Sequence, residues 1–366
     1  MSPIRCTSCF KPYPDQGVPF RCPVCGGVYD FSDSPVFDPA KVESSLPGLW
    51  RYRHAFELPD TAPVVSLGEG LTPLLWDVIE GQRIGFKLEY LNPTGSYKDR
   101  GSAMLTSQLL SRGVSEAVED SSGNAGASFA AYAARAGIKA KVYVPESASG
   151  PKRVQIERYG AELRPIPGPR SEAAQAVLAE AQRGVAYASH AYLPFGLAGI
   201  ATIAFELWEA TGEIGTVIAP VGHGGLLLGL RRGFAALKNQ KLIKHLPYFV
   251  GVQAAACSPV VAAYKHGLQA MVSASEGTTI AEGVRVRHPV RAEALLREIL
   301  PDQGIFLGVT EDRILPAANE LARKGVYVEP TSALVWAAFR QLSGKIAEPI
   351  ILILSGSGYK VQPSNS

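Results

Sequence analysis

Val217-Ile218-Ala219-Pro220-Val221-Gly222-His223-Gly224-Gly225-Leu226 takes the chain from a short apolar run through a glycine loop into a helical pattern. The run is apolar throughout instead of alternating, as expected of a strand buried on both faces of a parallel sheet. Residues 84–88, 139–144, 249–253 and 350–354 read the same way. Between such runs lie helical patterns that stop at glycine: 125–136 at Gly137, 173–182 at Gly184 and 317–324 at Gly325. Glycine just past a helix end takes the left-handed conformation that closes the last turn. Strands alternating with helices predict an α/β fold with parallel sheets. A length of 366 residues suits two or three units, at about 150 residues each.

Composition narrows the class. With 46% hydrophobic and 19% charged residues, the chain has ample material for a globular core. Its 36 basic and 33 acidic residues leave a net charge of +3. That balance gives no electrostatic footprint for nucleic acid, so no nucleic-acid partner is expected. The first ten residues lack the apolar core of a secretory signal. The longest weakly charged stretch, 184–205, is broken by His190 and Pro194. It reads as strand, loop and core helix, since a membrane span needs roughly 20 predominantly apolar residues. No membrane association is expected, and a cytoplasmic location is.

Four of the five cysteines form two pairs, Cys6-Thr7-Ser8-Cys9 and Cys22-Pro23-Val24-Cys25, separated by twelve residues. Two short Cys-x-x-Cys knuckles present four thiolates on tight turns, which suits a structural, tetrahedral zinc. A disulfide pair or a redox Cys-x-x-Cys is the competing reading. It is disfavoured in a cytosolic chain with no βαβ context around the pairs. Residues 1–35 are therefore expected to form a zinc-ribbon-like segment with Cys6, Cys9, Cys22 and Cys25 as ligands. Cys257 reads as a small buried hydrophobe.

Four polar loops punctuate the body. Asn92-Pro93-Thr94-Gly95-Ser96-Tyr97-Lys98-Asp99-Arg100-Gly101 delivers Lys98 at the start of a helical pattern. The positive end of a helix and partial desolvation both favour a reactive, neutral amine. A surface lysine is the alternative. Ser121-Ser122-Gly123-Asn124-Ala125-Gly126 precedes the alanine-rich helix and offers backbone N–H groups and hydroxyls to an anion, or merely a helix cap. The loop Gly222-His223-Gly224-Gly225-Leu226 lets successive amides cradle a phosphate. It lacks the spacing of a dinucleotide fingerprint and the Lys-Ser/Thr of a P-loop, so one terminal phosphate suits it better. Ser355-Gly356-Ser357-Gly358 puts a hydroxyl at the carboxyl end of a strand, where α/β proteins bind ligands.

Each loop alone is weak; together, in this order, they resemble the fold-type II pyridoxal-phosphate enzymes, and most closely the threonine synthase family. Gly48-Leu49-Trp50-Arg51-Tyr52-Arg53 and Ser66-Leu67-Gly68-Glu69-Gly70-Leu71-Thr72-Pro73-Leu74 resemble that family's entry segment. The resemblance implies the tryptophan synthase β-like fold, with two parallel-sheet α/β domains after the ribbon. The large one is expected over 36–100 and 189–366, and the small one over 101–188. It implies pyridoxal 5'-phosphate carried by Lys98, with Asn124 on the ring's hydroxyl oxygen and Ser355 beside the ring nitrogen. Gly222, His223, Gly224, Gly225 and Leu226 would hold the cofactor phosphate, and Ser121, Ser122 and Gly123 the substrate carboxylate. A neutral serine beside the ring nitrogen does not hold it protonated, which suits elimination and replacement more than transamination. The implied activity is a lyase of threonine biosynthesis, converting O-phospho-L-homoserine and water to L-threonine and phosphate, in a homodimer.

Some residues depart from that pattern. The segment Ser189-His190-Ala191-Tyr192-Leu193-Pro194-Phe195-Gly196-Leu197-Ala198-Gly199 has no arginine for a substrate phosphate. In this, and in Ala125 after Asn124, the chain looks more like the threonine or serine dehydratases, which eliminate from the β carbon to a 2-oxo acid. A related β-replacement synthase fits the same cofactor residues. A ribbon binding module on a dead scaffold is the remaining alternative. Arg5, Lys11 and Arg21 cancel Asp15, Asp30 and Asp33 in the ribbon, which argues against a nucleic-acid role. The intact lysine and loops argue against a dead enzyme.

Overall fold

The computed structural model describes residues 3–148, 150–168, 170–299 and 303–361. Packing divides them into two compact units. The first comprises the chain up to Glu69, Asn92–Gly199 and the C-terminal segment from Lys360; the second comprises Gly70–Leu91 and Ile200–Tyr359.

The first unit is built on a parallel sheet in the order Glu162–Ile166, Lys139–Pro145, Glu116–Glu119, Ala186–Tyr187. Pro165 sits in the edge strand, where a residue that cannot donate to the ladder is tolerated. Helices Lys98–Ser111 and Asn124–Ala136 bury Leu105, Leu109, Phe129 and Ala130 in one apolar cluster with Ala117 and Val142 of the sheet. Alanine at most positions of the second helix combines high helix propensity with room for close approach. It ends at Gly137, whose φ of 70° closes the turn.

The ribbon belongs to this unit. Strand Ile4–Cys6 pairs antiparallel with Tyr29–Phe31. Ile4, Tyr13 and Tyr29 share the apolar cluster of Leu105 and Phe195. Tyr13 meets the Phe195 ring edge-on, with centroids 5.3 Å apart. Arg112, the C-cap of the helix that begins at Lys98, donates to the carbonyls of Pro14 at 2.9 Å, Asp15 at 3.2 Å and Gly17 at 3.1 Å.

The second unit carries six strands in the order Gly304–Val309, Tyr248–Ala254, Thr216–Pro220, Ile350–Ile353, Gln82–Lys87, Leu74–Ile79. All neighbours are parallel except the last pair, a hairpin. Its two turn residues, Glu80 and Gly81, both have positive φ, at 54° and 79°, as the turn best matched to strand twist requires. Every residue of Thr216–Pro220 and Ile350–Ile353 is buried, the property their unbroken apolar runs predict.

The packing units cut the chain elsewhere than at the expected boundaries. Lys98 opens a helix that shares an apolar cluster with helix Asn124–Ala136, and both helices fall in the first unit. The sequence expectation put Lys98 with the larger segment; which helix covers which sheet is a tertiary choice that periodicity does not encode. The stretch 184–205 resolves into strand Ala186–Tyr187, a loop and the start of helix Gly196–Thr211. Among the described residues, no helix is long and apolar enough to cross a membrane.

Candidate active site

In the first unit, Asn92-Pro93-Thr94-Gly95 makes the turn that sets up Lys98. The Gly95 N–H donates to Asn92 O at 2.8 Å, and Gly95 has a φ of 86° that suits a residue without Cβ. Lys98 is the first residue of helix Lys98–Ser111, half-buried, with Nζ 4.9 Å from the Tyr97 ring centre.

The neighbouring Asp99 is a hub. Its carboxylate accepts Thr94 N–H at 2.7 Å, the Thr94 hydroxyl at 2.6 Å and the Ser128 hydroxyl at 2.6 Å. Burial pushes its carboxyl above the usual range. Lys360 Nζ donates to Thr94 O at 2.7 Å from the other side. The turn before Lys98 is therefore clamped at both faces of one threonine.

The 121–124 loop leaves strand Glu116–Glu119 and enters helix Asn124–Ala136. Gly123 caps that helix with extended backbone and no side-chain cap bond. The first helical hydrogen bond is Ala127 N–H to Gly123 O at 3.1 Å. The amides of Asn124, Ala125 and Gly126 thus precede any helical acceptor, the arrangement that favours an anion. Ser121 Oγ accepts the Gly123 N–H at 3.2 Å. A Cβ on Gly126 would stand 1.8 Å from Ser121 O; only glycine allows the loop to fold back on the helix.

Glu119 and His190 sit behind this loop, and sequence reasoning missed both roles. The Glu119 carboxylate accepts Ser121 N–H, and its other oxygen lies 2.9 Å from His190 Nδ1. Burial pushes the Glu119 carboxyl up to about 7. Burial, and then the charge of Lys98, hold His190 well below the usual imidazole range. Burial also raises Asp120, which accepts the Tyr187 hydroxyl at 2.7 Å. The available signal was Glu119-Asp120 itself, two adjacent acids directly after the buried strand residues Ala117 and Val118.

In the second unit, strand Thr216–Pro220 runs into the glycine loop and helix Gly225–Asn239. Gly224 caps that helix at φ 97°, and Leu228 N–H makes the first helical bond, to Gly224 O at 3.0 Å. A Cβ on Gly222 would stand 3.0 Å from Gly283 O, and one on Gly224 3.2 Å from the Arg291 side chain. A side chain at either position would crowd its neighbour, and Gly224 also takes a positive φ that L side chains rarely adopt. The amides of Gly225, Leu226 and Leu227 have no preceding helical acceptor, which fits a phosphate ester. The Leu226 side chain is buried in the core. Arg291 N–H donates to His223 O at 3.0 Å, anchoring the loop.

Ser355 follows strand Ile350–Ile353, which pairs in parallel with Thr216–Pro220. The glycine loop and Ser355 thus leave the carboxyl ends of adjacent strands, where open α/β sheets bind ligands. Ser355 is buried with Oγ 3.2 Å from Ser332 Oγ, which in turn accepts Gly356 N–H at 2.8 Å. Ser332 is a supporting residue the sequence did not announce.

Within the ribbon, the sulfurs of Cys6, Cys9, Cys22 and Cys25 all lie within 4.8 Å of one another. Cys6 and Cys25 are 3.4 Å apart, Cys9 and Cys22 3.6 Å. Sulfurs at the corners of a tetrahedral site with about 2.3 Å bonds stand about 3.8 Å apart.

The second unit thus ends adjacent parallel strands in a glycine loop and a buried hydroxyl, and the first holds a lysine at a clamped helix start; each is a place where α/β proteins bind ligands. The sequence profile of the pyridoxal-phosphate dependent enzyme family matches residues 65–356. The chain is 34% identical to a threonine synthase of Methanocaldococcus jannaschii, covering 97% of this chain and 92% of that protein. It is 32% identical to a threonine synthase of Methanosarcina acetivorans, over 93% and 86% respectively. Among solved structures, a T.th. threonine deaminase matches with a TM-score of 0.66 at 29% identity, over 80% of this chain and 94% of that one. The chain belongs to the pyridoxal-phosphate dependent enzymes, as a member of their threonine synthase family.

Proposed function

We propose that this pyridoxal-phosphate dependent lyase converts O-phospho-L-homoserine and water to L-threonine and phosphate. The observation that carries the reading is the likeness to threonine synthases over nearly the whole chain, ribbon included, with Lys98 at the start of its helix. Lys98 would carry the cofactor, with Asn124 on its ring hydroxyl oxygen and Ser355 at the ring nitrogen. The amides from Gly222 to Leu226, His223 among them, would take its phosphate. When bound, the cofactor withdraws electrons from the substrate Cα and weakens the bonds around it.

The chain's own groups then divide the work. Ser121, Ser122 and Gly123 hold the substrate carboxylate on the helix terminus, which orients the Cα–H bond. Lys98 Nζ would accept the Cα proton. A second proton leaves Cβ as phosphate departs from Cγ. Cγ then takes up a proton to become the methyl group, water adds its hydroxyl at Cβ, and a proton returns to Cα. Borohydride reduction and peptide mapping should label Lys98. With purified holoenzyme, phosphate release from O-phospho-L-homoserine should accompany threonine formation. Conversion of L-threonine or L-serine to a 2-oxo acid without phosphate release from O-phospho-L-homoserine would replace this reading with the dehydratase one. The missing arginine in 189–199 is the observation favouring that alternative.

Structural zinc on Cys6, Cys9, Cys22 and Cys25 belongs to the same proposal, supported by the sulfur spacing. Four thiolates leave no open coordination position, so the metal would be structural. Reduced, freshly purified protein should hold about one zinc per chain by metal analysis. A homodimer completes the proposal; light scattering should give twice the 39.0 kDa chain mass.

A further inference from the structure

Glu119, buried, and His190, partly buried, are titratable groups to which the reading above gives no task. The Glu119 carboxylate accepts Ser121 N–H with one oxygen and lies 2.9 Å from His190 Nδ1 with the other. Ser121 opens the loop that continues through the Gly123 N–H, itself held at 3.2 Å by Ser121 Oγ. The charged groups facing the pair are Lys98, Arg170, at the start of helix Arg170–Gln182, and Asp120, tied to Tyr187. An ionised carboxylate only accepts hydrogen bonds, so the imidazole nitrogen facing it must be the N–H donor. The other ring nitrogen, Nε2, then carries the lone pair.

We propose that Glu119 is a positioning residue that holds the Ser121 amide and the His190 Nδ1–H together, so that one ionised carboxylate sets both the shape of the 121–123 loop and the imidazole tautomer. The inference rests on the assignment of that loop to an amino-acid carboxylate. A protonated Glu119 keeps one acceptor but points an O–H at His190, which must then accept at Nδ1 and move its proton to Nε2. The Ser121 amide is left on a neutral and weaker acceptor. Glutamine at this position reproduces that state permanently: its carbonyl serves the Ser121 amide while its NH2 group donates to Nδ1. Alanine removes both contacts.

The test uses the holoenzyme of the wild type, Glu119→Gln and Glu119→Ala. L-Threonine and L-serine are titrated against cofactor absorbance on both sides of the Glu119 midpoint at about 7. Nitrogen NMR of labelled histidine reads the His190 tautomer in the same samples. The wild type should show the Nδ1–H tautomer above the midpoint and amino-acid affinity rising about tenfold through it, the usual worth of a charge-assisted bond. Glu119→Gln should show the Nε2–H tautomer and weak, pH-flat binding, with the cofactor still reducible onto Lys98. An Nε2–H tautomer in the wild type above the midpoint, or the wild-type pH step persisting in Glu119→Gln, overturns the proposal. Should the wild type give no spectral response to either amino acid, the functional reading fails, and the tautomer measurement alone decides the pairing.

Discussion

The Asp99 carboxylate accepts the Ser128 hydroxyl at 2.6 Å, joining the helix that begins with Lys98 to the helix that begins with Asn124. Ser128 Oγ also lies 2.7 Å from Ser102 Oγ, so the link is a buried chain and not a single contact. Removing one end strands the other. Asp99→Ala should cost about 3 kcal/mol or more in chemical denaturation, the scale for orphaning buried partners of a carboxylate. Ser128→Ala should cost about 1 kcal/mol.

Gly126→Ala tests the loop geometry. In an ordinary helix interior this change stabilises by about 0.5–1 kcal/mol. Here the new Cβ would meet Ser121 O at 1.8 Å, a backbone atom that must move. The expected outcome is a reversed sign: lower stability, and affinity for L-threonine reduced by about tenfold or more in spectral titrations. Wild-type affinity with raised stability would show that the loop does not need this close approach.

Ser355→Asp places a carboxylate in a buried position beside Ser332. If Ser355 adjoins the ring nitrogen, the carboxylate stabilises the protonated ring and alters the electron sink. Elimination turnover should fall at least about tenfold, equal to about 1.4 kcal/mol in the barrier, with a shifted visible spectrum. An unchanged spectrum and rate would remove Ser355 from the ring's surroundings.

Lys152, Arg153, Arg285 and Arg287 are the cations to test for a substrate phosphate. Arg287 donates to Met271 O at 2.7 Å and to Val272 O, and Arg153 to Ala148 O at 2.9 Å. Arg285 lies 4.0 Å from Glu276. Neutralised singly, one of the four should raise KM for O-phospho-L-homoserine by about tenfold or more while leaving L-threonine binding unchanged. Four wild-type KM values would place the phosphate contact on other residues.

Stability should fall as pH rises between 4.5 and about 7, on account of Glu119. Its folded midpoint is raised, so the folded state keeps a proton that the unfolded state has released. Each unit of pH within that window then costs up to about 1.4 kcal/mol. Above the folded midpoint the cost is constant. Glu119→Gln should flatten this part of the pH–stability curve, measured by urea unfolding.

The parallel strands were legible because burial on both faces leaves an unbroken apolar run, as in Ile350–Ile353. Glu162–Ile166 was not, being a half-exposed edge strand with a proline in it. The glycine loop was legible because its tight surroundings at Gly222 and the positive φ of Gly224 favour glycine. Glu119 and Ser332 were not, because support for a loop comes from residues brought close by folding. Ser332 lies 23 residues from the serine it supports. The ribbon's four cysteines were plain in the sequence. Its seat against Leu105 and Phe195 was not, since nothing in the spacing of Tyr13 and Tyr29 names their partners.

That seat has a consequence for the newly made chain. The ribbon's strands close at Phe31, yet the Phe195 ring that covers Tyr13 is encoded 164 residues later. At translation rates of about 5–20 residues per second, the ribbon waits roughly 10–30 seconds outside the ribosome with one apolar side bare. A ribbon already closed by its own four sulfurs would survive that interval as a formed piece. An unclosed one would offer Ile4, Tyr13 and Tyr29 to any chaperone or neighbouring nascent chain. Closure by the four sulfurs would then act first on the nascent chain, before Phe195 is there to cover Tyr13.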